Sequence, residues 1–343
     1  MKNIILSPGK LPLRLLERLL RKYTFAKKGI VIGPSIGIDA AVIDFTGDYL
    51  IAKTDPITFI AEDIGQYAIH INANDIATMG GRPKWFLASI LLPEKKTTPK
   101  KVEKIFSQLS KACKDLDIAL CGGHTEITFG IDRPIVIGQM LGEVEREDLV
   151  TAAGAKTGDD IILTKGIAIE ATSIIGREKE KELSKRFSQR FAARCKNTIK
   201  RPGLSVLQDA RYAMKFGKVH AMHDPTEGGL ATGLHELAMA SKVGVLIDKD
   251  AIPILPEFKK LCDYFGINPL GAIASGSLLI TLNPGDTAKV IQGLKRNGIK
   301  ASMIGKVKKS REGVRIRENG KIKNLPLFER DEITKVLNKF QCL

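Results

Sequence analysis

The chain has 343 residues, of which 43% are hydrophobic and 27% are charged, and these ordinary values exclude collagen-like, mucin-like and wholly disordered chains. It carries 54 Lys and Arg against 38 Asp and Glu, and the net charge of +16 suits attraction to polyanions or to phosphorylated small molecules. Because only 6% of the residues are aromatic, stacking surfaces for single strands would be scarce, and the composition does not favour a nucleic-acid-binding protein.

The five cysteines, at positions 113, 121, 195, 262 and 342, are odd in number and widely spaced, so they predict neither a disulfide framework nor a zinc site. Reduced thiols of this kind are typical of a cytoplasmic protein. No apolar run approaches the roughly 18 residues of a membrane span, and charged and Pro residues interrupt the first 20 residues. We therefore expect neither membrane association nor export.

The spacing of apolar residues predicts helices and strands in the first half of the chain. Leucines recur at helical spacing after Gly9, and two β-rich segments flank the turn signal at 46–48. A Gly-Gly pair follows the predicted strand that ends at Cys121, which indicates a turn there. The predicted elements are a helix over 12–23, a hairpin of 30–43 and 49–53, helices over 62–78 and 97–116, and strands over 85–92, 118–121 and 135–144.

The second half alternates in the same way. Its predicted elements are strands over 160–165, 243–247, 277–282 and 301–307 and helices over 167–194, 204–216, 229–241, 256–265 and 286–297. This alternation, with connections too long for a β-sandwich, predicts an α/β or α+β protein. The polar, Gly- and Ala-rich stretch 148–160 marks a boundary, which gives domains 1–153 and 154–343.

Four aspartates stand where loops meet secondary structure, each beside small residues. Such carboxylates are oxygen ligands suited to a hard cation that keeps water and substrate phosphates in its shell. Asp75 falls within a predicted helix whose other face is apolar, where a carboxylate must be solvated, paired or metal-bound. A single Asp is more often a cap or turn residue, so the predicted metal site rests on the joint occurrence of Asp39, Asp55, Asp75 and Asp224.

Two Gly-rich segments, GGHT at 122–125 and DPTEGG at 224–229, are candidates for phosphate binding. The second precedes a predicted helix, where N–H groups at Gly228 and Gly229 can bind phosphate with help from the helix dipole. The sequence has neither a Walker A pattern nor a Rossmann G-x-G-x-x-G after a strand, so those two nucleotide-binding folds lose their main support.

The ordered set of these segments resembles the aminoimidazole ribonucleotide (AIR) synthase, or PurM, superfamily. Its members use ATP and magnesium to activate an oxygen or nitrogen centre by phosphorylation. Three segments, at 9–12 (GKLP), 62–65 (EDIG) and 222–230, look most like the HypE family of hydrogenase-maturation proteins, which phosphorylate and dehydrate a carbamoyl group on their own C-terminal cysteine. The superfamily resemblance is carried by 37–42 (GIDAAV), 53–55 (KTD), 72–80 (NANDIATMG), 122–125 (GGHT), 224–230 (DPTEGGL) and 274–276 (ASG).

The resemblance implies a two-domain PurM-like fold of class α/β (α+β), with an N-terminal α/β domain whose β-sheet or barrel forms a dimer interface and a C-terminal α/β sandwich domain. It also implies a homodimer that binds ATP and Mg²⁺, with a maturation protein as a candidate partner. The catalytic residues would be Asp75, Asp224 and His124, and the Mg²⁺ ligands would be Asp39, Asp55, Asp75 and Asp224. The nucleotide would be bound by Asp39, Lys53, Thr54, Gly122, Gly123, Thr125, Lys165, Thr226, Gly228 and Gly229.

The chain departs from the family pattern at three places. It ends in KFQCL, so that Cys342 is penultimate and the Pro-Arg-Ile-Cys ending of the HypE family is missing. Ile38 replaces the first acid of a Gly-Asp-Asp-Ala motif, and His124 replaces the acid of Gly-Gly-Asp-Thr. Fewer carboxylates hold Mg²⁺ less strongly, and an imidazole suits softer metals better, although selenophosphate synthetases also resemble this chain at Gly-Gly-His-Thr.

Four functions remain open from the sequence. The first is ATP- and Mg²⁺-dependent phosphorylation of an amide- or carbamoyl-type oxygen. The second is a small-molecule kinase that resembles thiamine-monophosphate kinase, and the third is a non-catalytic nucleotide-binding paralogue in maturation, suggested by Ile38, His124 and the missing tail motif. Nucleic-acid binding is the weakest of the four, because it rests on the net charge alone.

Overall fold

The computed structural model describes residues 11–24 and 27–337, in which helices and strands are numbered along the chain. The helices are α1 (Leu13–Tyr23), α2 (Ile64–Thr78), α3 (Pro99–Asp115), α4 (Ile169–Glu178), α5 (Glu180–Arg186), α6 (Gln189–Asn197), α7 (Leu207–Phe216), α8 (Gly229–Ser241), α9 (Pro256–Phe265), α10 (Pro284–Arg296) and α11 (Thr334–Leu337). The strands are β1 (Ile30–Ile32), β2 (Ala41–Phe45), β3 (Asp48–Ile57), β4 (Arg82–Pro93), β5 (Ala119–Thr128), β6 (Ile135–Val144), β7 (Asp160–Thr164), β8 (Val219–His223), β9 (Gly244–Asp248), β10 (Leu279–Leu282), β11 (Ala301–Lys308), β12 (Val314–Glu318) and β13 (Lys321–Asn324).

The described residues form two units. Unit 1 contains residues 11–24, 34–38 and 150–337, and unit 2 contains residues 27–33 and 39–149. The chain therefore passes from unit 2 to unit 1 between Leu149 and Val150, and residues 34–38 group with the later part of the chain. Each unit has its own β-sheet, so the predicted class of a two-domain α/β protein is confirmed.

Unit 2 is built on a six-stranded sheet in the order β1-β2-β3-β6-β4-β5. Its neighbouring strands are antiparallel except for the β4–β5 pair, which is parallel. Helix α2 packs against β3, β6 and α3, and 13 of its 15 residues are buried. Such burial on nearly all sides places its polar residues Asn72, Asn74 and Asp75 in the interior of unit 2.

Unit 1 is built on a seven-stranded sheet in the order β13-β12-β9-β11-β7-β10-β8. The interior strand β7, between β11 and β10, is buried at every position, as expected for a strand whose sheet is covered on both faces. The segment after β13 returns to the body of the unit, where Ile333 and Val336 are fully buried. Among residues 11–24 and 27–337, none of the helices combines the length and the apolarity that a bilayer crossing requires.

Two of the predicted local structures are wrong. The pair Gly122-Gly123 is not a turn, because β5 runs through both glycines to Thr128. Gly123 pairs with Ala88 of β4, and a Cβ on Gly123 would lie 2.0 Å from the Ala88 carbonyl oxygen, so the glycine is required by the close approach of two strands. The predicted long helix over 167–194 is divided into α4, α5 and α6, and the strands β8, β12 and β13 were not predicted.

Candidate functional site

The first cluster of predicted site residues lies in unit 2, where β3 faces α2. Lys53 and Asp55 are two residues apart on β3 and therefore point to the same side of the sheet. The Lys53 Nζ lies 3.4 Å from Asp55 Oδ2 and 3.2 Å from Asp75 Oδ2. The Asp75 side chain is 5% exposed, whereas those of Lys53 and Asp55 are 20% and 32% exposed. The cluster is thus closed on the helix side and open on the strand side.

Packing between the sheet and α2 fixes this geometry. The Asn72 amide donates to the Asp55 carbonyl at 3.3 Å and to the Ala68 carbonyl at 2.9 Å, which ties the helix to β3. Gly138 of β6 lies opposite Asp55, and a Cβ there would lie 2.4 Å from Asn72 Nδ2. The Thr54 hydroxyl donates to the Gly138 carbonyl at 2.8 Å. Thr54 is therefore a residue that joins two strands, and its predicted contact with nucleotide stays a prediction.

The charges of this cluster do not balance. The pKa of Asp75 is raised to about 7: burial contributes most, the neighbouring carboxylates of Asp55 and Asp39 also raise the pKa, and the Lys53 ammonium lowers it. The Lys53 ammonium contacts the carboxylates of Asp55 and Asp75, and Asp39 adds a third carboxylate that acts on Asp75, so the group has more carboxylates than ammonium groups. Oxygen ligands with excess negative charge, one of them buried, fit a hard divalent cation such as Mg²⁺. The predicted ligands Asp39, Asp55 and Asp75 belong to one electrostatically coupled group.

The predicted GGHT segment lies on β5, which forms one edge of the sheet in unit 2. Gly122, Gly123 and Thr125 are exposed, and the His124 side chain is 73% exposed, 3.8 Å from the carboxylate of Glu126. An imidazole with this exposure is accessible to a ligand or to a partner surface. The assignments of Gly122, Gly123 and Thr125 to nucleotide and of His124 to catalysis stay predictions.

The second Gly-rich segment forms a tight turn in unit 1 between β8 and α8. Gly228 and Gly229 both have left-handed backbone angles, with φ of 78° and 67°. The Gly229 N–H donates to the Thr226 carbonyl at 3.0 Å, and the Gly228 N–H donates to a carboxylate oxygen of Asp331 at 2.7 Å. These two N–H groups are therefore engaged within unit 1. Their predicted binding of phosphate stays a prediction, and it would require both hydrogen bonds to be exchanged.

Two further predicted residues lie in unit 1. Asp224 is buried at the start of this turn, after His223, whose Nε2 lies 3.0 Å from a Glu236 carboxylate oxygen. Lys165 is buried, and its Nζ lies 3.2 Å from Asp209 Oδ2 and donates to the Ser205 carbonyl at 2.6 Å. The ammonium of Lys165 is thus directed to acceptors inside unit 1. Its predicted role in steadying nucleotide oxygens stays a prediction that this pairing does not support.

Sequence reasoning missed three residues that shape these sites. Asn72 begins the recognised segment 72–80 and lies three residues before Asp75, and this position was the available signal. Asp209 and Asp331 gave no signal, because each acts through a partner more than 40 residues away in the chain. Cys342, the penultimate residue, lies outside the described residues.

Both halves of the chain match a known protein family. Residues 37–144 match the family described as AIR synthase related protein, N-terminal domain, and residues 156–317 match AIR synthase related protein, C-terminal domain. The chain is 30% identical to a Methanocaldococcus jannaschii protein whose name reads hydrogenase expression/formation protein, over 82% of this chain and 80% of the relative. It is 29% identical to the carbamoyl dehydratase HypE of Cupriavidus necator, over 74% of this chain and 70% of the relative.

A more distant relative by sequence is the thiamine-monophosphate kinase of Pyrococcus horikoshii, which is 26% identical over 86% of this chain and 89% of the relative. Among solved structures, a HypE–HypF complex gives a TM-score of 0.74 at 21% identity, over 92% of this chain and 99% of the other. HypE in complex with ATP gives 0.67 at 22% identity, over 96% and 98%. ThiL complexed with AMPPCP and TMP gives 0.69 at 24% identity, over 92% and 94%. These structures establish the shared fold.

Proposed function

The chain belongs to the AIR synthase related family, and we propose that it binds Mg²⁺ and ATP and uses them to phosphorylate an amide- or carbamoyl-type oxygen. The observation that carries this proposal is the cluster of Lys53, Asp55 and Asp75, in which a buried carboxylate with a raised pKa shares one ammonium with its neighbours. An excess of carboxylate oxygens at the open end of a rigid helix–strand contact suits a cation that brings a triphosphate with it.

In this proposal the residues of unit 2 bind and orient the nucleotide. Asp39, Asp55 and Asp75 would hold Mg²⁺, which supplies charge neutralisation for the phosphate oxygens when it is bound. The Lys53 ammonium, fixed between two carboxylates, would donate to a phosphate oxygen. In the transfer, the acceptor oxygen forms a bond to the γ-phosphorus, the bond between that phosphorus and the β–γ bridging oxygen breaks, and ADP leaves. Such a reaction depends mainly on positioning and on charge stabilisation, which a rigid cluster provides.

The class of acceptor is supported by the relatives. The Cupriavidus necator protein is named a carbamoyl dehydratase, and loss of water from an amide-type group requires that its oxygen first become a leaving group. Phosphorylation of that oxygen achieves this, because phosphate leaves far more easily than hydroxide. We propose the same class of acceptor here without assigning it to Cys342. The complex of HypE with HypF supports a maturation protein as the partner in this proposal.

A kinase that releases a stable phosphate ester is the second candidate function. It is supported by the 26% identity to the thiamine-monophosphate kinase of Pyrococcus horikoshii over most of both chains. The two functions share nucleotide binding and differ in the product, because a kinase leaves the phosphoryl group on the acceptor. The non-catalytic alternative predicts Mg²⁺·ATP binding without ADP formation. Product analysis after ATP consumption therefore separates all three.

We propose that the protein acts as a homodimer joined through β5. All but the last of the ten residues of this strand are exposed, and among the described strands only β4 pairs with it. Leu120, Ile127 and Phe129 present large apolar side chains to solvent there. An exposed edge of this length is a template for pairing, and natural proteins cover such edges. We expect a solution mass of twice 37.5 kDa, reduced to the monomer by Ile127→Lys; a monomeric wild-type protein would contradict the proposal.

The experiment that tests the proposed function is thermal unfolding with and without Mg²⁺·ATP, followed by measurement of ADP. Ligand at a hundredfold excess over Kd adds about 2.7 kcal/mol to the stability of the folded state. We expect this gain in the wild-type protein, its loss in Asp55→Asn and Asp75→Asn, and its retention in Asp115→Asn, which alters an exposed carboxylate of the same unit. A wild-type protein that is folded but gains no stability from Mg²⁺·ATP would refute the proposed function.

A further inference from the structure

Asp331 is a buried carboxylate that accepts hydrogen bonds from three separate parts of the backbone of unit 1. Its Oδ2 accepts the N–H of Gly228 at 2.7 Å. Its Oδ1 accepts the N–H groups of Ile273 and Ile333 at 3.1 and 2.9 Å. Only 4% of Asp331 is exposed to solvent. Charge-assisted bonds to a fully buried acceptor are among the stronger hydrogen bonds in proteins.

The three donors connect the two sequence motifs of the second half of the chain. Gly228 belongs to the DPTEGG turn, and Ile273 directly precedes the ASG segment at 274–276. The backbone also joins these motifs, because the Ala274 N–H donates to the Thr226 carbonyl at 3.2 Å. A Cβ on Gly229 would lie 2.5 Å from the Leu270 carbonyl oxygen, so the two loops are in direct contact. Asp331 contacts both loops, because it accepts the N–H groups of Gly228 and Ile273.

The segment that carries Asp331 makes further contacts with the loop over 268–273. The ring of Phe328 lies against Gly271, where a Cβ would meet it at 2.5 Å. The Glu332 N–H donates to the Gly271 carbonyl at 3.0 Å, and the Glu332 carboxylate accepts the Asn268 N–H at 2.8 Å. A carboxylate anchored in this way can impose a shape on the turn that it contacts. The segment lies beyond residue 317, where the match to the family ends.

We propose that Asp331 is a positioning residue for Asp224: by holding Gly228 in its left-handed conformation, it fixes the Asp224–Gly229 turn in the shape that the reaction uses. This inference rests on the proposed function and on the part in the reaction that the family resemblance implies for Asp224, but its structural part stands on the three hydrogen bonds alone. It also assigns the Gly228 N–H to Asp331, so that phosphate is bound by other groups.

The test uses the full-length protein with Asp331→Asn and with Glu329→Gln as the matched control. An asparagine keeps one acceptor oxygen but replaces the other with an amide N–H₂, so it loses either the Gly228 bond or the pair on Oδ1. Glu329→Gln alters an exposed carboxylate of the same segment. We expect hydrogen exchange at the Gly228 amide to be slow in the wild-type protein, at least tenfold faster in Asp331→Asn, and unchanged in Glu329→Gln.

The functional part of the test is a double-mutant cycle on the affinity for Mg²⁺·ATP, measured by calorimetry. We expect Asp331→Asn to weaken binding by about tenfold in the wild-type background and by less than twofold in the Asp224→Asn background, because a residue that acts through Asp224 has no effect without it. Equal weakening in both backgrounds would identify a general structural role and overturn the proposal.

Two other results are equally decisive. Fast exchange of the Gly228 amide in the wild-type protein would overturn the proposal without any variant, even if Asp331→Asn does not fold. A wild-type protein that binds no Mg²⁺·ATP would instead refute the proposed function, and with it the role of Asp331 in the reaction. Slow exchange at Gly228 in that same protein would show that Asp331 still binds the turn, and that only the proposed nucleotide site is wrong.

Discussion

Each unit contains a lysine–carboxylate group, and the two groups have the same residue types but differ in charge balance and in exposure to solvent. In unit 2, the Lys53 ammonium lies between Asp55 and Asp75, and its side chain is 20% exposed. In unit 1, Lys165 pairs with Asp209, with side-chain exposures of 7% and 3%, and the Ser205 carbonyl completes its surroundings. The first group has more carboxylates than ammonium groups and is partly open, whereas the second is balanced in charge and closed.

The pKa shifts of the two groups follow from this difference. In unit 2 burial and two neighbouring carboxylates raise the pKa of Asp75 to about 7, because a single lysine does not offset them. In unit 1 burial lowers the pKa of Lys165, and the Asp209 carboxylate acts on it in the opposite direction. A group that is under-neutralised gains from binding a cation, whereas a balanced pair has nothing to gain. Charge balance and access, rather than residue type, therefore separate a ligand site from a structural ion pair.

The largest effect is expected from breaking the closed pair. Asp209→Leu leaves the Lys165 ammonium buried without its carboxylate, and removal of one partner of a buried ion pair costs about 3–5 kcal/mol. We expect the free energy of unfolding, measured in urea, to fall by that amount. The double variant Lys165→Met, Asp209→Leu removes both charges and should recover most of the loss.

The same double variant tests whether Lys165 contacts nucleotide. If the Lys165–Asp209 pair is structural, the folded double variant should bind Mg²⁺·ATP with the affinity of the wild-type protein. A variant that is stable but binds Mg²⁺·ATP many-fold more weakly would restore the sequence-based role of Lys165 and remove the contrast between the two groups.

The second largest effect is the loss of ligand stabilisation in unit 2 without a loss of intrinsic stability. The folded pKa of Asp75, about 7, lies above its ordinary value of 3.8, so ionisation of this group destabilises the folded state as the pH rises through that interval. A neutral asparagine avoids this cost. At pH 7.5 without ligand, we expect Asp75→Asn to be at least as stable as the wild-type protein, while it loses the roughly 2.7 kcal/mol that Mg²⁺·ATP adds at a hundredfold excess over Kd. A large loss of intrinsic stability in the ligand-free variant would show that Asp75 is structural, like Asp209.

The sequence predicted the elements of both groups better than their contacts. The bounds of β6, α8 and α9 coincide with the prediction, because their apolar spacing and flanking turn residues are local signals. The grouping of Asp55 with Asp75 was also predictable, from motifs whose order resembles that of a known family. Local signals failed at Gly122-Gly123, where a glycine pair that usually marks a turn is needed for strand contact.

Contacts between distant segments explain what the sequence missed. Lys165 had the charge expected of a phosphate ligand, and only the three-dimensional position of Asp209 shows that its charge is already paired. Gly228 had the position before a predicted helix that is expected of a phosphate-binding turn. Only the hydrogen bond from its N–H to Asp331, 103 residues later in the chain, shows that this N–H is engaged. A pattern in sequence identifies which groups can bind a ligand, but not which of them the fold has already paired.

A smaller effect is expected in the pH dependence of metal binding. Mg²⁺ binds the ionised carboxylate, and with a pKa of about 7 the ionised fraction of Asp75 rises from about a tenth at pH 6 to about nine tenths at pH 8. The affinity for Mg²⁺ should therefore rise about tenfold over this interval. Calorimetry in buffers of different ionisation enthalpy should detect release of about three quarters of a proton per Mg²⁺ at pH 6.5 and almost none at pH 8.5.

The control for this profile is Asp44→Asn, which alters a half-exposed carboxylate of the same unit that pairs with Arg146. It should leave both the affinity profile and the proton release unchanged. An affinity that is flat or falls as the pH rises would mean that Asp75 is not a ligand of the ion.

The smallest effect concerns Lys53 and measures how far the open group is from balance. Because the Lys53 ammonium lowers the pKa of Asp75, Lys53→Met should raise that pKa above about 7 in the metal-free protein. Lys53 is partly exposed, so solvent screens its charge, and we expect a rise of about half a unit to one unit. The carbon-13 chemical shift of the Asp75 carboxyl, followed against pH, measures it directly. Lys84→Met, which alters an exposed lysine paired with Glu143 in the same sheet, should leave the pKa unchanged. If Lys53→Met also leaves the pKa of Asp75 unchanged, Lys53 does not neutralise Asp75. A bound cation would then have to offset one more negative charge than the structure indicates.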